Sequence, residues 1–237
     1  MLFWYVCILA AAAFVQCLTG FGFGIFAAAL LPFIMPFKSS VAVLAMLSVA
    51  VNFELGIQVV KRVRWKLLIP VVLCSFAAQT VGARLLFSVE EALLSKVLGV
   101  VLIGLAIFFA FFRDRISIRG SAKNGIIAGL IGGVLNTFNV GGPPIVIYYL
   151  KTCNDKEEYL ATVQATFFIT SVYNFILHVL WGNVTSETLW YGAVGLCVVI
   201  PVIFLGFRVF KRISQRLLNL LVYGMIGVMG VIQIVVK

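Results

Sequence analysis

Gly125–Leu150 reads GIIAGLIGGVLNTFNVGGPPIVIYYL, 26 residues without a charge, interrupted at Asn139-Val-Gly-Gly-Pro-Pro144. About 20 apolar residues cross a bilayer's hydrocarbon core as one helix. Paired glycines and prolines break such a helix. Non-helical backbone is tolerated at membrane depth only where protein buries it or it lines a polar cavity. Met1–Phe37 has the same character: it is apolar and interrupted by Thr19-Gly-Phe-Gly-Phe-Gly24.

Around these two regions lie six uninterrupted apolar segments of spanning length, approximately Ser39–Val60, Leu67–Phe87, Leu93–Phe112, Tyr159–Trp181, Thr188–Phe207 and Leu217–Val236. Over the whole chain of 237 residues, 63% are hydrophobic and 11% are charged. A water-soluble domain carries about 25% charged residues, so the fold class expected is an all-α integral membrane protein, one membrane domain over residues 1–237. The opening MLFWYVCILA lacks the basic region and cleavage site of a secretory signal and is expected to remain in the mature protein. Four of the five cysteines lie in apolar segments, with no C-x-x-C pair, and read as small buried hydrophobes.

The two interruptions fall at matching places in an internal repeat. Asn52-Phe53 matches Asn174-Phe175, Gly82-x-Arg84 matches Gly206-x-Arg208, and Leu93-Leu94 matches Leu217-Leu218. The halves are residues 1–118 and 119–237. Loop charge sets their orientation, because cytoplasmic loops concentrate Lys and Arg. Eight simple crossings divide the 18 basic residues 9 and 9. If each interrupted region instead enters and leaves on one side as a re-entrant hairpin, the division is 14 inside and 4 outside. That bias favours two inverted repeats, each a re-entrant or broken helical hairpin plus three transmembrane helices. Whether Met1–Leu18 crosses fully stays open at this point. The formal charge of +10 lies in short loops, so it reads as topology signal and attraction to anionic lipid rather than nucleic-acid binding.

Paired helix breaks near the midplane point to a transporter's binding site. Glycines let backbone N–H groups converge, and the half-helices expected from about Ile25 and Ile145 begin with unpaired donors and positive partial charge. This chemistry suits a small anion. The candidate substrate-binding residues are Thr19, Gly20, Gly22 and Gly24 at the first tip, Thr137, Asn139, Gly141 and Gly142 at the second, and the repeat-related amides Asn52 and Asn174. Gln16 and Asn136 flank the tips. Arg84 and Arg208 could draw the anion to opposite mouths, or merely snorkel to headgroups. Glu54, the one acid inside an apolar helix, and His178 are the coupling candidates; the bland alternative for each is an interhelical bond. The glycines themselves could simply allow close helix packing. No cofactor, metal site or catalytic set is expected, since carboxylates and imidazoles do not cluster and no phosphate-binding loop occurs.

Gly129-Leu-Ile-Gly-Gly133 followed by Val140-Gly-Gly-Pro-Pro-Ile145 resembles the second-repeat signature of the sulfite exporter TauE/SafE family. Thr19–Gly24 with Pro32 resembles a weaker first copy, in which phenylalanines interleave where the family often has consecutive glycines. The resemblance spans essentially the whole chain. It implies a multi-pass permease of the inner (plasma) membrane that exports sulfite, a sulfonate or another small organic anion. From the residues alone the expectation is a secondary transporter working by alternating access, open to proton coupling; a passive anion channel on the same scaffold is the alternative. The oligomeric state is left open, a homodimer included.

Overall fold

A computed structural model describes residues 1–57, 59–111 and 121–210. Its described residues form helices α1 (Leu2–Thr19), α2 (Phe23–Leu30), α3 (Phe37–Ile57), α4 (Trp65–Ser88), α5 (Glu91–Phe111), α6 (Ala122–Asn136), α7 (Gly142–Thr152), α8 (Lys156–Leu180) and α9 (Ser186–Phe210), with short 3-10 turns at Leu31–Phe33 and Val60–Arg62. Among the described residues, four helices are long and apolar enough to cross a membrane: Phe37–Ile57, Trp65–Ser88, Glu157–Leu180 and Ser186–Gly206. They coincide with four of the six segments read from sequence, and α5 covers a fifth. The sixth, Leu217–Val236, and most of the basic stretches Arg113–Lys123 and Arg208–Arg216 lie outside the described residues.

The described helices are apolar outside as well as in their core, and the polar side chains that lie within spanning segments are concentrated inside. Along α4, Trp65, Ile69, Leu73, Val81 and Leu85 are exposed, whereas Ser75 and Gln79 are fully buried. On α8, Gln164 is fully buried and Asn174 nearly so. This arrangement suits lipid as the solvent, because each buried amide then finds partners within the protein. The cysteines follow it less closely than expected: Cys17 is buried, but Cys7 and Cys197 face outward on their helices.

Side-chain contacts fix the helix directions. α1 and α9 run parallel, with the Tyr5 hydroxyl donating to the Tyr191 carbonyl (2.6 Å) near their starts and the Cys17 thiol to the Ile203 carbonyl (3.5 Å) further along. α4 and α6 are also parallel. Gly129 packs on Val71 and Cys74, Gly133 on Ser75 and Ala78, and Gly82 on Thr137. A Cβ at Gly133 would come within 2.8 Å of Ser75 and Ala78, so these glycines seat two helices backbone to backbone. α3 and α8 are antiparallel. Phe53 meets Phe168 and Gly56 meets Gln164, while the Lys38 carbonyl at the far end accepts from Asn183 just beyond α8.

Two pairs of helices fold back on themselves. Gly132 packs against Gly141 and Ile145, and Gly125 against Tyr148, so α7 retraces α6. At 15 and 11 residues, both fall short of a span. α1 has 18 residues, and α2 returns the chain: Tyr5 and Phe37 lie towards one end of the bundle, and Gly20 lies deep within it beside Gln164. At the opposite end, Arg62 pairs with Asp155 (2.8 Å) and Arg64 with Glu158 (2.9 Å), tying the α3–α4 loop to the start of α8.

Candidate functional site

The first tip is built by a left-handed residue and a buried amide. α1 stops where Gly20 takes φ 75°, and its N–H donates to the Gln16 carbonyl at 2.8 Å. Gly22 follows at φ 124°. Few L side chains tolerate such angles, which explains two of the glycines in TGFGFG. Gln16 then folds over the tip. Its Oε1 accepts from the Phe23 N–H (2.9 Å), capping α2, and its Nε2 donates to Asn52 Oδ1 (3.1 Å) on α3. From α8, Gln164 Nε2 donates to the Gly20 carbonyl at 2.6 Å.

The second tip uses a left-handed asparagine. Asn139 sits at φ 60°, a conformation asparagine adopts more readily than most residues. Its Nδ2 donates to the Val41 carbonyl (3.0 Å), and its Oδ1 accepts from Asn174 Nδ2 (3.3 Å). Asn174 Nδ2 also donates to the Asn136 carbonyl (3.0 Å), and Asn136 Nδ2 reaches Gln79 Oε1 at 3.4 Å. Each tip is thus held from the other half of the sequence: the Gln164 side chain grips the first, and the Val41 carbonyl anchors the second through Asn139.

The tips meet. Gly24 lies against the Asn139 carbonyl so closely that any side chain would collide, and a methyl on Gly142 would lie 3.4 Å from the Phe21 ring and 3.5 Å from that of Phe167. Between them is a cavity of about 40 Å³. It is lined from the tips by Gln16, Gly22, Gly24, Asn136, Asn139 and Gly142, with Phe21, Phe23 and Ile25. α3 contributes Ser48, Val51 and Asn52, and α8 contributes Phe167 and Ser171.

The donor set differs from the symmetric nest expected. Gly24 and Ile25 line the cavity, and as residues of the first turn of α2 they have amides that lack a carbonyl behind them in the helix. At the second tip, the amides of Thr137, Phe138, Asn139 and Val140 close the turn onto Val134, Leu135 and Asn136. The first turn of α7 holds Pro143 and Pro144, which carry no N–H, leaving Gly142 as its donor. The half-helices also begin earlier than expected, at Phe23 and Gly142 rather than near Ile25 and Ile145.

Of the residues singled out from sequence, Gln16, Gly22, Gly24, Asn52, Asn136, Asn139 and Gly142 line the cavity. Gly20 shapes the first tip beside it and offers its carbonyl to Gln164. Asn174 stands behind Asn139 and holds it. Thr137 is fully buried under Gly82, and Gly141 is a packing glycine wedged against Gly132 and Asn136; neither lines the cavity. Arg84 is exposed at the end of α4. Glu54 is half-buried on α3, off the cavity lining. His178 is buried at the end of α8, its ring edge-on to Phe87 and its Nδ1 2.9 Å from Asn183 Nδ2, which also donates to the Lys38 carbonyl. That is a structural junction at one end of the bundle. The side chains of Thr19 and Arg208 lie outside the described residues.

Sequence reading missed Gln164, Ser48, Ser171 and Phe167. A glutamine within a membrane-spanning segment was the available signal for Gln164, because a carboxamide in lipid needs partners. Among the described residues no group of three or more His, Cys, Asp or Glu could hold a metal ion.

Comparison with known proteins gives two matches. The family described as sulfite exporter TauE/SafE matches residues 5–232. A probable membrane transporter protein of Methanocaldococcus jannaschii is 25% identical over 187 residues, covering 74% of this chain and 70% of its own length. No solved structure matches the chain.

Proposed function

This chain belongs to the sulfite exporter TauE/SafE family of membrane transporters, and from that premise we propose that it carries a small anion by alternating access, with the substrate held between the two tips. The observation that carries the reading is the meeting of two helix breaks, more than a hundred residues apart in sequence, around one cavity with polar groups from both.

An inverted duplication of residues 1–118 and 119–237 underlies the mechanism. Three pairs of equivalent contacts support it. α1 packs on α9 as α6 packs on α4, and α3 packs on α8 in an antiparallel pair, as a two-fold axis in the membrane plane requires. Gly82 meets Thr137 at the end of the second half's first helix, and its repeat partner Gly206 meets Cys17 near the end of the first half's. Asn52 is bonded to Gln16, and its repeat partner Asn174 to Asn136. In this arrangement each half is a re-entrant hairpin plus three crossings, and rocking one half against the other opens the site to each side in turn.

The substrate class is sulfite, a sulfonate or another small organic anion, exported across the inner (plasma) membrane. Lipid is the protein's other partner. Glu54 is the candidate proton carrier, and the exposed Arg84 attracts the anion to the outer mouth. The test is flux of labelled sulfite, methanesulfonate and acetate in proteoliposomes with and without a pH gradient. Saturable flux that the gradient accelerates, and that Glu54→Gln uncouples from it, is the expected result. Flux no greater than in protein-free vesicles for all three would refute the reading.

A further inference from the structure

We propose that the cavity selects its solute by charge and by shape: it takes a singly charged oxyanion with one oxygen-free face, such as hydrogen sulfite, methanesulfonate or acetate, and rejects doubly charged oxyanions such as sulfate. The inference rests on the anion-carrier reading and deepens it.

Every described residue lining the cavity is uncharged. Its polar side chains are the carboxamides of Gln16, Asn52, Asn136 and Asn139 and the hydroxyls of Ser48 and Ser171, and beside them stand the first-turn amides of Gly24 and Ile25. Several of these groups already have partners. Gln16 uses both ends of its amide on Phe23 and Asn52, and Asn139 uses both of its own on Val41 and Asn174. Asn52 accepts from Gln16 through Oδ1, which leaves its Nδ2 as the donor end. The donors available to a solute are therefore few and neutral.

Moving an ion from water into a low-dielectric site costs free energy that grows with the square of its charge. Stabilisation by a fixed set of neutral dipoles grows only in proportion to the charge. Doubling the charge therefore quadruples the penalty while doubling the gain, and buried charge without a counter-charge or many hydrogen bonds is unfavourable. A singly charged ion is the form this lining can hold.

The apolar part of the lining sets the shape. Phe21 and Phe167 both approach Gly142 and form one wall, continued by Phe23, Ile25 and Val51. A sulfate turns an oxygen towards any wall it meets, and an oxygen facing phenyl carbon loses its water without replacement. A methyl group there loses nothing. A volume of about 40 Å³ holds about three or four water-sized spheres at roughly 10–15 Å³ each, the scale of a one-carbon acid.

The test is competition against labelled methanesulfonate uptake in proteoliposomes of the full chain. Unlabelled methanesulfonate and acetate should halve uptake at concentrations at least tenfold lower than sulfate. Ser48→Lys, which adds a cation to the lining, should narrow the methanesulfonate-to-sulfate ratio at least fivefold. Sulfate competing within threefold of methanesulfonate in the wild type overturns the proposal but leaves the carrier reading intact. So does an unchanged ratio in a Ser48→Lys protein that still transports. Absence of flux for every anion overturns both.

Discussion

Gly141 and Gly142 are neighbours in sequence, and the structure gives them separate work. A methyl on Gly142 would enter the cavity at 3.4–3.6 Å from Phe21 and Phe167, ordinary contact distances. A methyl on Gly141 would lie 2.6 Å from Asn136 Cβ and 2.8 Å from its amide nitrogen, and would press on the Gly132 carbonyl. Gly142→Ala should therefore leave the fold intact and fill about a quarter to a third of the 40 Å³ cavity, taking a methyl as about one water-sized sphere of roughly 10–15 Å³. Forcing a solute into the remainder resembles overpacking, which costs about 1–3 kcal/mol. At tenfold for each 1.4 kcal/mol, that raises KM by about 5–150-fold. Gly141→Ala should place a similar cost on the α6–α7 hairpin instead, lowering the unfolding temperature with little change in KM for the protein that stays folded. The assay is concentration-dependent sulfite or methanesulfonate uptake, paired with thermal unfolding in detergent. An unchanged KM together with lowered stability in Gly142→Ala would refute the division of labour.

Gln164→Leu removes the 2.6 Å bond to the Gly20 carbonyl and leaves that buried carbonyl only the 3.5 Å contact from Gln16 Nε2, which costs up to about 3 kcal/mol; unfolding temperature and maximal flux should both fall, and equal values to wild type would show that the first tip does not need its grip. His178 is predicted to be structural, so His178→Gln should keep the flux and its dependence on the pH gradient; loss of that dependence in a well-folded variant would restore it as a coupling residue. Asp155 caps α8 outside the spanning segments. The Glu158 N–H and then Arg62 hold its carboxyl below the usual carboxylate range. Because the folded value lies below the unfolded one, the contribution to stability is complete above about pH 4 and is lost as pH falls through the folded value. Asp155→Asn should therefore lose less unfolding temperature than wild type between about pH 5 and pH 3, and parallel curves would contradict the assignment.

The helix breaks were legible because glycine and proline in an apolar run have few other uses, and the spans were legible from length and polarity alone. What stayed hidden depends on which face of a helix a residue occupies after packing. Gly141 and Gly142 differ by one position, about 100° around the helix, and only the approach of α6 on one side and Phe21 on the other separates packing from lining. Gln164 belongs to a polar series on α8 that includes Thr162, Thr166, Thr170 and Ser171, and nothing in the chain order says which member reaches the first tip. The prolines of NVGGPP mark the break, but they also remove two of the donors that the break was expected to supply. Arg84 is exposed at the end of α4, and its place in the chain order did not say which way it would face.

Selenite resembles sulfite, and its selenium can be located by anomalous scattering. A crystal structure of the protein with selenite at a concentration that inhibits sulfite uptake should show one selenium peak between Gly24, Asn52 and Gly142. A peak only on the protein surface or beside Arg84, with the space between the tips filled by side chains, would contradict the account.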